Sequence, residues 1–137
     1  MRDAALEKRD RFNLSPVFNL FLKLVALFFI AFAIRHWLLA IGYPRTDIRF
    51  DIMVVEWQMA IAALAVTQPI VAVGLWSSVN WGYVIWAIAV SIEIYMYLLR
   101  PDLFGVFWSL IYFHLAVGAV MLLYLFIEIL RNRQLSK

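Results

Sequence analysis

The sequence contains no cysteine. That excludes disulfides, thiolate catalysis, iron–sulfur ligation and cysteine-type zinc sites. Charge is scarce too: Asp, Glu, Lys and Arg together make up 15% of the chain, against about 25% in a typical soluble domain. There are five glycines and four prolines. The glycines sit at helix ends and packing positions, and no glycine-rich phosphate loop, G-x-S-x-G or H-E-x-x-H pattern occurs. Ser91, Ser109 and Thr67 would need a nearby base to act as nucleophiles; in an apolar helix such hydroxyls more often bond a carbonyl one turn back. The chain therefore reads as a non-enzyme, with no catalytic residue and no metal site.

What is present is apolar surface. Of 137 residues, 66% are hydrophobic, and the mean hydropathy is +0.86. A soluble fold this small keeps much of its surface in water, so lipid is the solvent that suits it. The net charge is +3 and the pI about 9.5. The basic residues cluster outside the apolar runs, which points to membrane topology and not to nucleic acid.

Four apolar runs, near 16–43, 50–76, 81–99 and 103–130, are long enough to cross about 30 Å of hydrocarbon as helices. They lack the alternation of strands. Ser15-Pro16 reads as a helix cap with proline at the first helical position. Gly42 and Pro44 end the first helix. Thr46 or Asp47 is placed to cap the second, with Asp51 in its first turn. Asn80 is placed to cap the third, Pro101 stops it, and Asp102 is placed to cap the fourth. Gln68-Pro69 lies inside the second run, where proline frees a carbonyl and is expected to bend the helix. Ala31-Phe32-Ala33 fits a signal-peptidase pattern, but the apolar run resumes at Trp37, so the first run reads as a retained span.

Residues 1–15 form a charged lead-in, 16–130 the membrane domain and 131–137 a basic tail. Seven basic residues (Arg2, Lys8, Arg9, Arg11, Arg131, Arg133 and Lys137) lie on the side of the termini, and three (Arg45, Arg49 and Arg100) on the other. The positive-inside rule puts both termini in the cytoplasm, and Lys23 snorkels to that side. Trp76, Trp81, Tyr83 and Tyr124 fall near the inner interface, and Trp37, Tyr43, Trp57, Tyr95, Tyr97 and Trp108 near the outer one. Short links make sequential helices antiparallel neighbours. The expected fold is an all-α membrane protein: one up-down-up-down bundle of four transmembrane helices, with no internal repeat.

Lys23 snorkels and Asp51 and Glu128 lie at run ends, which leaves five charged or histidine side chains placed in the hydrocarbon: Arg35, His36, Glu56, Glu93 and His114. Each costs roughly 2.5–3.5 kcal/mol in hydrocarbon and should face protein. From the rise per residue, Arg35 lies about 12 Å, Glu56 about 8–9 Å, Glu93 about 10 Å and His114 about 15 Å below the outer helix ends. All belong to the outer half. Glu56, Ala60, Ala63 and Thr67 share a face of small residues. Gly82, Trp86, Ala89, Glu93 and Tyr97 share another, where Tyr97 is placed to donate to Glu93. The expectation is a buried cluster of Arg35, Glu56, Glu93 and His114.

Three readings follow. In the first, the cluster fixes helix register and the protein is structural or accessory, its apolar outer faces packing on a larger membrane complex or a second copy. In the second, Glu93 or Glu56 is the proton handle of a small proton-coupled transporter. The size resembles the small multidrug-resistance exporters, but their glutamate in the middle of helix 1 is missing. In the third, His36 and His114 ligate haem or contact a quinone. The first is the one expected, and it calls for no cofactor.

The runs Val73-Gly74-Leu75-Trp76, Trp81-Gly82-Tyr83-Val84-Ile85-Trp86, Ile92-Glu93-Ile94-Tyr95-Met96-Tyr97 and Pro101-Asp102-Leu103-Phe104-Gly105 carry a resemblance. The pattern is similar to a family of short four-span inner-membrane proteins of alphaproteobacteria, a domain of unknown function. The resemblance spans helix 1 to helix 4. It implies a bacterial inner membrane and transfers no activity or site residue.

Overall fold

A computed structural model describes residues 16–43 and 50–135. The expected caps Ser15, Thr46 and Asp47, with Pro44, lie outside the described residues. Among those described, there is no strand. Helix α1 spans Pro16–Ala40, α2 Val55–Trp76, α3 Asn80–Ile94, α4 Pro101–Phe104 and α5 Trp108–Leu135. A 3-10 turn at Phe50–Ile52 precedes α2. α3 widens into a π-helical stretch at Tyr95–Leu99. Four segments are long and apolar enough to cross a membrane: Pro16–Ala40, Val55–Trp76, Asn80–Leu99 and Trp108–Arg133. Their outward residues are apolar, among them Leu24, Val66, Val84 and Leu122, as a lipid environment demands.

Three expected boundaries differ. α1 stops at Ala40, because Gly42 takes φ +76°. The Gly42 and Tyr43 amides then bond back to Leu39 and Leu38, a left-handed helix end that glycine permits. α2 starts at Val55 and not at residue 50. Gln58 Nε2 donates to the carbonyls of Phe50 (2.8 Å) and Met53 (3.1 Å), tying the 3-10 turn onto the helix. α5 starts at Trp108 and not at residue 103, since Gly105, at φ +73°, ends the short α4 first. Asn80 and Asp102 are not caps of α3 and α5. Asn80 is the first residue of α3 behind Val79. Asp102 lies in α4 and accepts from Arg100 Nε at 3.3 Å, and that hydrogen bond holds its carboxyl below the usual range.

The helices meet at identifiable residues. Gly74 of α2 and Gly82 of α3 bring two backbones together: a Cβ on Gly74 would stand 2.5 Å from Gly82 Cα. The link between these helices turns through Ser78 at φ +53°, and Ser78 Oγ donates to Asn19 of α1 at 2.7 Å. α1 meets α5 through stacked rings. Phe18 lies on Tyr124 and Phe28 on Phe113, both with centroids 3.8 Å apart. Two apolar clusters result. One contains Phe18, Leu22, Phe29, Val71, Leu75, Ala89 and Val117. The other contains Leu64, Met96, Tyr97, Phe104, Leu110 and Ile111.

Pro69 has no N–H, so the Ala65 carbonyl one turn back loses its helical partner. Trp37 of α1 replaces it, donating Nε1–H to Ala65 O at 3.1 Å. The defect in one helix thus becomes a tie to its neighbour. Trp37→Phe should lower stability in detergent by about 1–2 kcal/mol, the cost of an orphaned carbonyl. The loss should vanish in a Pro69→Ala background, where an amide N–H returns; denaturation of the four proteins checks it. Gly74→Ala should cost about 1–3 kcal/mol by the same measurement, because the added methyl meets backbone that cannot yield.

Candidate functional site

Among the described residues, four polar side chains are buried between the two apolar clusters, one from each long helix. They are His36 (2% exposed) on α1, Gln68 (0%) on α2, Glu93 (2%) on α3 and His114 (3%) on α5. On α2, Gln68 falls between Leu64 of one cluster and Val71 of the other. On α3, Glu93 falls between Met96 and Ala89, and on α5, His114 falls between Ile111 and Val117. The polar groups therefore form a single layer with apolar packing above and below.

The layer is one hydrogen-bonded chain. His36 Nδ1 lies 2.8 Å from the Phe32 carbonyl and 2.8 Å from Gln68 Oε1. The carbonyl can only accept, so Nδ1 carries the hydrogen and donates to both. This fixes the Gln68 amide, whose nitrogen then donates to Glu93 Oε1 at 2.9 Å. The other carboxylate oxygen, Oε2, meets His114 Nε2, and one hydrogen lies between them. Every donor from His36 to Gln68 thus points toward Glu93. An ionised carboxylate is costly in an apolar interior. The Gln68 N–H and the His114 imidazole supply the two contacts that offset it.

The residues expected to gather here are only partly together. Glu93 and His114 meet directly. Arg35 and Glu56 are exposed. Arg35 adjoins His36, and a helix turns about 100° per residue, so when His36 faces inward Arg35 does not. Its guanidinium instead lies beside the Tyr97 hydroxyl. Glu56 is the second residue of α2. The later start of that helix puts it at the helix mouth and not a third of the way into the membrane. Tyr97 does not serve Glu93, whose oxygens are occupied by Gln68 and His114. The π-helical stretch beginning at Tyr95 moves Tyr97 off the α-helical register that would have aligned them.

Gln68 is the residue that sequence reasoning passed over. In the sequence it stands out only as the neighbour of Pro69, although a lone amide inside an apolar helix is a recurrent interhelical hydrogen-bonding group. For haem, two imidazoles must face each other across an open slot. Here Gln68 and Glu93 stand between His36 and His114 and bond to both, so this geometry does not fit a bis-histidine haem. Among the described residues no three metal-ligating side chains converge.

Gln68→Leu would strip His36 Nδ1–H and Glu93 Oε1 of their shared partner. Each group left unpaired costs about 1–3 kcal/mol. Gln68→Leu should therefore destabilise the protein in detergent more than Arg35→Leu, which removes an exposed group. Thermal denaturation of both variants orders them.

Neither a curated protein nor a solved structure matches the chain. One family model matches residues 16–134, which takes in all four long helices. The chain belongs to that family, described as a family of unknown function (DUF6163).

Proposed function

We propose that this is a small integral protein of a bacterial inner membrane, structural or accessory in role and not an enzyme. In this reading its four spans form an antiparallel up-down-up-down bundle with both termini in the cytoplasm. Its apolar outer faces pack on a larger membrane complex or a second copy. The contact pairs Asn19 with Ser78, Gln68 with Glu93 and Phe28 with Phe113 support alternating helix directions. The charge imbalance of the links and ends supports the orientation.

The observation that carries the accessory role is the make-up of the polar chain. A proton moving along hydrogen bonds needs each member to accept a proton at one atom and release it from another. Histidine and glutamate do this readily; a glutamine amide has no such titration. Gln68 interrupts the chain in its middle, so the layer suits holding helices in register better than conduction. A proton-coupled role keeps one supporting observation: the buried contact of the Glu93 carboxyl with the His114 imidazole. Glu56, at the mouth of α2, offers little as a second handle.

Purification in mild detergent followed by native mass spectrometry tests the proposal. A stoichiometric partner or a dimer is expected; a bare monomer contradicts the accessory role. Glu93→Gln separates the two readings. An amide can still bond Gln68 and His114, so the accessory reading expects a folded protein with its partner retained. Partner retained but proton-driven flux abolished in reconstituted vesicles would favour transport.

A further inference from the structure

A groove of about 550 Å³ opens on the apolar outward face between α1 and α2. Its floor is made of small side chains: Ala33 and Ala72 are buried there, beside Pro69. Trp37 lines one end and Trp76 the other. The Trp37 indole is fixed in place by its bond to the Ala65 carbonyl.

The α1 wall is Leu27, Ile30, Ile34 and Trp37, which recur at helical spacing on one face. Lys23 continues that row one turn beyond Leu27. Its ammonium lies over the Trp76 ring, 5.6 Å from the centroid. The groove thus has an apolar length and a cationic end. From Leu27 to Trp37 the helix rises about 15 Å, and one leaflet supplies half of a hydrocarbon core about 30 Å thick. The apolar length therefore matches one acyl chain of one leaflet. An ammonium on an exposed face of an apolar span is costly unless polar groups meet it. The Trp76 ring attracts the cation but has no lone pair to accept its N–H donors. A phosphate oxygen does.

We propose that the α1–α2 groove holds one acyl chain of an anionic phospholipid from the leaflet on the Lys23 side, with the lipid phosphate at the Lys23 ammonium. The small residues of the floor admit the chain, and Lys23 selects a headgroup without a cation of its own. The site requires that the chain span a membrane and does not depend on the accessory role.

The delipidated full chain in mild detergent is titrated with phosphatidylglycerol and with phosphatidylethanolamine of identical acyl chains. Bound lipid is counted by native mass spectrometry, and affinity is read from the rise in Tm. One phosphatidylglycerol per chain should be retained, about fivefold tighter than phosphatidylethanolamine, the ratio that one basic residue at an anionic headgroup supplies. Lys23→Gln should abolish that preference and Lys23→Arg should keep it, whereas Arg131→Gln, in the last turns of α5, should leave it unchanged. Val73 is an exposed residue of the groove, and Val73→Trp should weaken both lipids by filling it. Equal binding of the two lipids, or a preference that survives Lys23→Gln, would overturn the proposal. Competition by glycerol 3-phosphate, which has the headgroup charge and no chains, would overturn it in favour of a free phosphate. A dimer that phospholipid does not displace and Val73→Trp breaks would overturn it by assigning the groove to a second copy. Should Val73→Trp not fold, the Lys23 variants decide.

Discussion

A carboxyl group inside an apolar protein in an apolar solvent must find hydrogen-bond partners for both its oxygens. Glu93 imposes that condition on the whole molecule. Its two oxygens are reached by the Gln68 amide of α2 and the His114 imidazole of α5, and Gln68 is in turn reached by His36 of α1. A small displacement of any long helix would leave a donor or acceptor stranded at low dielectric. Apolar packing alone gives weak register here, because lipid tails are as apolar as the side chains they would replace. The polar layer supplies the register that hydrophobicity does not.

The rest of the fold repeats the logic on a smaller scale. Pro69 frees the Ala65 carbonyl, and Trp37 captures it from the next helix. Trp57 donates Nε1–H to the Leu103 carbonyl at 3.0 Å, fastening α2 to α4. Gly74 and Gly82 remove side chains where the α2 and α3 backbones touch, and the Phe18–Tyr124 and Phe28–Phe113 stacks close α1 against α5. The carbonyl freed at Pro69 is thus matched by a partner from a neighbouring helix, as a membrane interior requires.

The spans were legible in the sequence because hydrocarbon thickness sets a length that few soluble segments reach. Their ends were less so. Gly42 and Gly105 act through positive φ; Gly42 marks a helix end in the sequence, whereas Gly105 lies inside the fourth apolar run. Within the site, Glu93 and His114 were legible as ionisable groups where none is tolerated without cause. Gln68 was not, since an uncharged amide barely disturbs hydropathy. Arg35 and Glu56 misled because a charge near a helix end can leave the membrane interior by turning or by length alone. Depth along a span depends on where the helix begins, and α2 begins five residues after the start of its apolar run.

The central claim is that His36 and His114, on different helices and joined only through Gln68 and Glu93, belong to one connected network. A double-mutant cycle in detergent measures this directly, using His36→Phe, His114→Phe and the double variant. Residues at separate sites without shared partners add to within about 0.3–0.5 kcal/mol. The network predicts non-additivity of at least about 1 kcal/mol, because the first substitution already loosens the chain the second would break. Strictly additive losses would contradict it.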